Sequence, residues 1–258
     1  MLSKNTLKFI KSLQQKKFRR EEKAFFVEGS KNVTELLQSD FEVTHLLFTE
    51  KFAREYHQLI PSSGVNLVEV SQKELESAGT FQSNDSALAV AKIKENISFE
   101  LKSNEWAIAL DDIRDPGNLG SIIRIADWYG IKKLLISNES ADIYNPKVLH
   151  ASMGSFTRVI TYYTDLEGFF SKGNYPIYGA FLEGENIYNV NFGQGGIILM
   201  GNESNGISQE VSRFVSQKIS IPKFGHAESL NVAIATSVIC DNMRRQAHIQ
   251  SKIKGQNG

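Results

Sequence analysis

Short apolar stretches alternate with amphipathic stretches along the first part of the chain. The compact apolar runs predict strands at Phe25–Val27, Val43–Phe48, Leu67–Val70 and Ala87–Ile93. The segments around them carry apolar residues at helical spacing and predict helices at 1–20, Ser30–Leu37, Phe52–Ile60 and after Ser71. Ser30 and Ser71 are the expected caps, and Glu74 completes a capping box with Ser71. This alternation predicts a small α/β domain over 1–94.

The alternation resumes after a polar, weakly patterned linker at 95–104 and continues through a second domain, 105–258. Its predicted strands are Trp106–Leu110, Lys133–Ile136, Val159–Thr161, Ile177–Phe181, Gly196–Met200 and Ile219–Ile221. Its predicted helices are Leu119–Tyr129, Pro146–Met153, Leu166–Phe170, Gln209–Val215 and a long one from Leu230 onward. The pattern predicts a mostly parallel sheet with helices on both faces. Ligands bind outside the carboxyl ends of such strands, so the loops after Leu110, Phe181, Met200 and Ile221 are the candidate site.

Composition supports two ordinary globular domains in 258 residues, of which 41% are apolar. Lysine plus arginine equals aspartate plus glutamate at 29 each, which argues against a polycation that coats nucleic acid through its total charge. Cations are nevertheless concentrated near the start. They form either a solvated helix face or an arm that contacts phosphates. They are Lys4, Lys8, Lys11, Lys16, Lys17, Arg19, Arg20 and Lys23.

The single cysteine, Cys240, indicates a reducing compartment, because one thiol forms no internal disulfide. Its place in an apolar helix pattern suggests a small buried side chain and not a nucleophile. No apolar run has the length of a membrane span, and the first residues lack the features of a signal peptide. We therefore expect a cytoplasmic protein without a membrane partner. Histidine and cysteine spacing indicates no metal site.

Polar residues gather in the predicted loops at the carboxyl ends of the strands. After Leu110, Asp115-Pro116-Gly117 predicts a turn, and Asn118 occupies a predicted helix cap. Arg124 lies nearly opposite the apolar face of that helix, so it is either a surface charge or a site residue.

The second loop, "LMGNESNGIS" at 199–208, carries glycine and asparagine residues that tolerate unusual backbone angles. Glu203 is its only charge and is either a solvated turn residue or part of a site. In the third loop, Ser229 and Asn231 stand where the last helix begins, and they either cap it or line a site.

Several common nucleotide and nucleophile motifs are missing. "GQGG" at 193–196 does not give the dinucleotide fingerprint and precedes a strand, and no Walker loop occurs. "GHAES" around Ser229 is not a nucleophile elbow, which argues against a serine hydrolase.

Three segments together resemble the SpoU (TrmH-like) family of RNA ribose 2′-O-methyltransferases in the SPOUT superfamily. They are "NLGSIIRIADWYG", "LMGNESNGIS" and "IPKFGHAESLNVAIATSVI", in the family's order and each after a strand. The segment "SLQQKKFRREEKAFFVEGSKNVTELL" resembles an L30e-like RNA-binding domain. The chain departs from the family at Lys223-Phe224, where methionine and a small apolar residue are common, and at Ala233, where serine is common.

The resemblance implies a deep trefoil knot in the C-terminal domain and a pocket for S-adenosyl-L-methionine (AdoMet). It implies cofactor contacts at Leu199, Met200, Gly201, Ile221 and Leu230, with the region Ala180–Leu182, including Phe181, at the border. It implies catalytic roles for Arg124, Asn118, Glu203, Ser229 and Asn231, with Glu203 paired to Asn118 or Arg124. Arg124 would act on the ribose hydroxyl as a base or, because a guanidinium keeps its proton, as an electrostatic clamp.

The resemblance also implies RNA as the substrate, with ribosomal RNA favoured over tRNA by the L30e-like domain, and a homodimer that uses the last helix. Its apolar stripe (Val232, Ala235, Ile239 and Met243) fits either that interface or an intramolecular core. One alternative is a non-catalytic RNA-binding or ribosome-assembly protein on the same scaffold. An NAD-dependent oxidoreductase is a further alternative, although it lacks the glycine motif.

Overall fold

The computed structural model describes residues 2–256, and the side chains of residues 2–246. The chain forms two compact units. The first contains the residues up to Glu95 together with the segment Asp142–Arg158. The second contains Asn96–Ala141 and the chain from Val159 onward. Among the described residues, no helix is both long enough and apolar enough to cross a membrane.

The first unit is a mixed sheet with helices. Its elements are α1 (Lys4–Ser12), α2 (Lys16–Glu22), β1 (Ala24–Glu28), α3 (Ser30–Leu37), β2 (Val43–Phe48), α4 (Glu50–Tyr56), β3 (Asn66–Glu69), α5 (Gln72–Ala78), β4 (Ala87–Lys92) and α7 (Pro146–Ser152). The strand order is β1-β4-β2-β3, with only β2 and β3 parallel. All but the last residue of β4 and all of β1 are buried, as expected for strands covered on both faces.

The segment Asp142–Arg158 completes the core of the first unit. The fully buried Phe25 ring packs against Tyr144 at 4.6 Å and against Phe156 at 6.0 Å between ring centroids. Arg19 is only 2% exposed and donates from Nη2 to Asp142 Oδ2 over 2.6 Å. Arg19 is therefore a structural cation, and the phosphate-contacting arm considered from the sequence does not include it.

The second unit contains a six-stranded sheet in the order β10-β8-β9-β5-β6-β7. Its strands are β5 (Trp106–Leu110), β6 (Lys133–Ser137), β7 (Ile160–Thr164), β8 (Ile177–Asn186), β9 (Gly196–Met200) and β10 (Gln217–Ser220). Its helices are α6 (Pro116–Trp128), α8 (Leu166–Phe170), α9 (Gln209–Ser212) and α10 (Val232–Gln256). Every neighbouring pair of strands is parallel, which confirms the predicted α/β fold class with a parallel sheet.

Three strands and one helix were predicted with the correct ends. Val43–Phe48, Trp106–Leu110, Gly196–Met200 and the helix Leu166–Phe170 match residue for residue. The capping box of Ser71 and Glu74 is also present.

Several element ends differ from the predictions. Ser30 lies inside α3, which is preceded by Gly29 at a φ of 84°, so Ser30 is not its cap. The helix predicted at 1–20 is two helices, and that predicted at 52–60 ends at Tyr56, followed by a 3₁₀ turn at His57–Leu59. Strand β8 continues to Asn186, and its register with β10 shifts between Lys218 and Ile219. Strand β10 ends at Ser220, which leaves Ile221 in the following loop.

Candidate active site

Three loops of the second unit leave the same edge of the sheet. They follow β5, β9 and β10, which run parallel, so residues 111–115, 201–208 and 221–231 all begin at carboxyl ends of strands. This edge is where an open parallel sheet binds its ligands.

A chain of side-chain hydrogen bonds joins one residue from the third loop, one from the second loop and one from the start of α6. Asn231 Nδ2 donates to Asn118 Oδ1 over 2.8 Å, and Asn118 Nδ2 donates to Glu203 Oε1 over 2.6 Å. Both polar ends of the Asn118 amide are thereby used, which fixes its orientation. Of the two partners considered for Glu203, the structure selects Asn118.

The cap of α10 is Asn231. Its Oδ1 accepts from the backbone N–H groups of Ala233 at 3.0 Å and Ile234 at 3.3 Å, while its Nδ2 remains free for Asn118. Ser229, the expected cap, is exposed and lies outside the helix. One asparagine therefore both caps the helix and enters the site, because its amide has an acceptor and a donor on opposite sides.

The cap of α6 is Asp115 and not Asn118. Its Oδ1 accepts from the backbone N–H of Asn118 over 2.7 Å, and Pro116 occupies the first turn. Asp115 was missed, although proline at the first helical position indicates that the residue before it is the cap. As a consequence, the Asn118 side chain is free to join Glu203 and Asn231.

The second loop is a tight turn organised by Asn202. Its backbone N–H and C=O groups pair with those of Gly206 at 3.0 and 2.9 Å, and its Oδ1 accepts from Ser204 N at 2.9 Å and Asn205 N at 3.1 Å. A Cβ at Gly201 would overlap the backbone of Gly206 and Ile207. The turn therefore requires glycine at position 201, and it holds Glu203 at its tip.

Two further hydrogen bonds tie the second loop to the first. Asn202 Nδ2 donates to the carbonyl of Asp112 over 2.8 Å, and Asp111 Oδ2 accepts from Ser208 N over 2.7 Å. Asp111 is 7% exposed, so its carboxylate is mostly removed from water. Neither Asn202 nor Asp111 was singled out for this role. The feature that could have indicated them is a polar residue at the first or second position after a buried strand.

Arg124 lies on α6 outside the hydrogen-bonded network. It is exposed, while Ile122, Ile123 and Ala126 around it are buried, which confirms that it is not a core residue. At 1.5 Å per residue, it is about 9 Å further along the helix axis than Asn118. Its guanidinium has no ion-pair or hydrogen-bond partner among the side chains described. It is available to a bound ligand.

The expected cofactor residues divide into two groups. The side chains of Leu199 and Met200 are buried in the central strand β9, so the structure does not place them at the surface of the site. Gly201, Ile221 and Leu230 lie on the loops beyond the strand ends, and Leu230 is 49% exposed. Phe181 packs against the core of this unit, and Lys218 Nζ lies 4.9 Å from its ring centroid. Phe224, at the departure from the family pattern, is 89% exposed.

Within the residues that the structure describes, no three or more histidine, cysteine, aspartate or glutamate side chains form a group that could hold a metal ion.

Two family profiles match the chain. The SpoU rRNA Methylase family matches residues 105–241, and an MRM3-like substrate binding domain matches residues 4–89. A similar characterised protein is the 23S rRNA (guanosine(2553)-2′-O)-methyltransferase RlmP of Bacillus subtilis. It is 26% identical over 241 residues, which cover 91% of this chain and 94% of RlmP.

Solved structures resemble the chain over nearly its full length. A Porphyromonas gingivalis protein assigned to the TrmH family of RNA methyltransferases is 34% identical with a TM-score of 0.85, covering 95% of this chain and 99% of its own. An AdoMet-bound rRNA methyltransferase from Sinorhizobium meliloti is 27% identical with a TM-score of 0.85, covering 95% of this chain and 96% of its own.

Proposed function

The chain belongs to the SpoU rRNA methylase family, and on that premise we propose that it transfers the methyl group of AdoMet to a ribose 2′-hydroxyl of ribosomal RNA. The observation that carries this proposal is the bonded set Asn118, Glu203 and Asn231, which gathers three predicted site residues at one edge of the sheet. The name of the RlmP relative and the match to a substrate binding domain support ribosomal RNA over tRNA.

The residues at this edge fit AdoMet. Gly201 presents backbone without a side chain, and the apolar Ile221 and Leu230 flank the same strand ends, which suits an adenosine moiety held by main-chain groups. Phe181, which packs against the core of this unit, would border the bound cofactor, and the buried Leu199 and Met200 would support the loops from the core. Bound AdoMet supplies a methyl group on a sulfonium, which is already activated for transfer. The protein then has to align the reactants and stabilise the charge that develops on the ribose oxygen.

Arg124 is the residue proposed to act on the 2′-hydroxyl, and we assign it the role of electrostatic clamp. A guanidinium keeps its proton in proteins, so it is a poor base but a strong donor to a phosphate and to a developing alkoxide. Arg124 is exposed, so RNA can reach its guanidinium. Water also reaches this side chain, so the hydroxyl proton can leave to solvent.

The remaining polar residues hold the reacting groups in place. Glu203 fixes the amide of Asn118, and Asn118 fixes Asn231, so a shift at any one of them moves the other two. Ser229 is exposed beside Asn231 and can contact the ribose or the carboxypropyl arm of AdoMet.

Residues 1–94 are proposed to bind RNA as an L30e-like domain, with 105–258 as the catalytic domain, although its segment Asp142–Arg158 packs in the first unit. Exposed cations on α1, on α2 and at the turn after α2 support phosphate contacts. They are Lys4, Lys8, Lys11, Lys16, Lys17, Arg20 and Lys23. The ring of Phe25 is fully buried and that of Phe26 is 1% exposed, so neither is available to stack on a base.

A homodimer, a cytoplasmic location and a deep trefoil knot complete the proposal. Val232, Ile239 and Met243 are at most 5% exposed within the single chain, so the stripe expected at an interface is mainly core. Two other apolar side chains on neighbouring helices support a dimer, namely Trp128, 84% exposed, and Ile234, 56% exposed.

The test is incorporation of tritiated methyl from AdoMet into ribosomal RNA by the purified protein, followed by nuclease digestion and separation of nucleosides. The expected product is a 2′-O-methylnucleoside that resists alkaline cleavage at its 3′ side. If the protein binds RNA but neither binds AdoMet nor transfers a methyl group, the non-catalytic alternative is favoured.

A further inference from the structure

The first loop of the site contains an aspartate in a backbone conformation that side chains rarely adopt. Within the described residues, the non-glycine residues with positive φ are Lys23, Asp112 and Met153. Lys23 and Met153 end helices α2 and α7, where a left-handed residue is the ordinary terminus. Asp112, at a φ of 58°, does not end a helix. Its conformation has another origin.

The backbone of Asp112 is fixed from both sides. Its N–H donates to the buried Ser137 Oγ over 2.9 Å, and its carbonyl accepts from Asn202 Nδ2 over 2.8 Å. The next residue, Ile113, is fully buried and donates from its N–H to Ser140 Oγ over 2.9 Å. The loop therefore imposes the left-handed angle, and glycine would meet that requirement with less strain.

The Asp112 carboxylate has a specific use, which is to hold Arg114. Arg114 Nε donates to Asp112 Oδ1 over 2.7 Å. The Arg114 side chain is 70% exposed, and an exposed ion pair of this kind adds little to folding stability. The pair instead restricts where the guanidinium points, because it binds the Nε edge and leaves the two terminal nitrogens without a partner among the residues described.

We propose that Arg114 binds a phosphate of the RNA substrate next to the methylated nucleotide, and that Asp112 is the positioning residue that orients it. This inference rests on the proposed function and adds a contact to it. Arg114 lies in the first loop, four residues before Asn118. Asn202 joins this loop to the turn that carries Glu203, and Glu203 contacts Asn118. The free terminal nitrogens of a guanidinium form a planar fork that matches two phosphate oxygens, which an ammonium does not reproduce.

The test measures the affinity of the full-length protein for ribosomal RNA from cells lacking this gene, between about 50 and 200 mM salt. Arg114→Gln is expected to weaken RNA binding about tenfold and to reduce the salt slope by about one. The affinity for AdoMet should stay at the wild-type value, whereas kcat/KM for RNA should fall together with the RNA affinity. Arg114→Lys, which keeps the charge without the fork, should be intermediate. The matched control is Arg213→Gln, because Arg213 is 58% exposed and also donates to one carboxylate, Glu167, but lies outside the three loops.

The second pair of variants separates orientation from folding. Asp112→Gly removes the carboxylate and relieves the backbone, so it should weaken RNA binding several-fold without lowering the unfolding temperature. Asp112→Asn keeps an oxygen acceptor and should restore much of the affinity. The inference would be overturned if Arg114→Gln kept the RNA affinity and salt slope of the unchanged protein, or if Asp112→Gly kept its RNA affinity. The proposed function would still stand in that case, provided that the unchanged protein transfers methyl groups. Absence of methyl transfer by the wild-type protein would overturn both.

Discussion

Asn118 donates its side-chain amide to Glu203 over 2.6 Å, although the two residues are 85 positions apart in the sequence. The same amide accepts from Asn231, 113 positions away. Asp115 caps α6 and Asn231 caps α10, so the Asn118 side chain is not needed as a cap. It can therefore connect the starts of both helices to the turn that carries Glu203. Helices α6 and α10 also meet further along, where Arg244 Nε donates to the carbonyl of Tyr129 over 2.7 Å. The site is thus built on two packed helices.

Substitution of Asn118 should disable catalysis more than cofactor binding. Asn118→Ala removes both contacts and lets Glu203 and Asn231 move, and misplacement of about 1 Å costs about 10²-fold in rate. We expect kcat to fall by about that factor, with the Kd for AdoMet within about threefold of wild type by calorimetry. Asn118→Asp places a second carboxylate against Glu203 and should be at least as harmful, because like charges repel. Wild-type kcat in both variants would contradict the role of this network.

Gly201 should not tolerate a side chain. A Cβ there would overlap the backbone of the 202–206 turn, so Gly201→Ala should lower the free energy of unfolding by about 1–3 kcal/mol and weaken AdoMet binding. Gly225→Ala is the matched control, because a Cβ at Gly225 meets open space in the third loop. Denaturant titration and calorimetry would check both. If both variants had the same free energy of unfolding and the same affinity for AdoMet, the second loop would not require glycine at position 201.

Cys240 should be inert to alkylation in the folded protein. Burial raises the pKa of its thiol from 9.0 to about 12, with a smaller opposing effect of Arg244. Little thiolate is therefore present at pH 8 to attack a reagent. Iodoacetamide labelling followed by mass spectrometry should find no modification until denaturant is added. Rapid labelling of the native protein would contradict the burial of this side chain.

The same thiol should contribute to alkaline loss of stability. The folded pKa lies above the unfolded value, so the folded state binds more protons between about pH 9 and 12. The contribution of the thiol to the free energy of unfolding is fully present below pH 9. It falls as the pH rises through that window, by at most about 1.4 kcal/mol per pH unit. The difference in unfolding free energy between wild type and Cys240→Ala should shrink across it. A constant difference would argue against the shift.

The most exposed apolar side chain on α6 should lie in the proposed dimer interface. Trp128 is 84% exposed, and Trp128→Glu places a charge where a partner would bury it. Light scattering should then report a monomer, with the folded state retained by circular dichroism. Ile97→Glu, at a residue 64% exposed in the chain between β4 and β5, is the control and should remain dimeric. A wild-type protein that is already monomeric would contradict the dimer.

The strands and the common sheet edge of the three loops were predictable because they depend on local patterns. Gly196–Met200 is an unbroken apolar run, and such runs in an alternating α/β sequence predict buried parallel strands. The rule that ligands bind at strand carboxyl ends then indicates the strand ends near which Asn118, Glu203 and Asn231 lie.

The caps and the packing partners of single residues were harder to predict. Asp115 and Asn118 are both polar and near the start of α6, and the choice between them depends on the exact residue at which the chain turns into the helix. The helix observed at Pro146–Ser152 was predicted over Pro146–Met153, but its packing in the first unit, with Arg19 paired to Asp142, depends on contacts 123 residues apart. Periodicity carries no information about such contacts.

The proposed methyl transfer is tested most directly by mapping 2′-O-methyl marks in total RNA by mass spectrometry. The cells compared carry the gene, lack it, or have it restored as wild type or as Arg124→Ala. We predict one ribosomal RNA mark that disappears on deletion and returns with the wild-type gene. Arg124→Ala should not restore it, since loss of a charge-stabilising donor costs about 10²–10³ in rate. An unchanged set of marks after deletion, or full restoration by Arg124→Ala, would contradict the account.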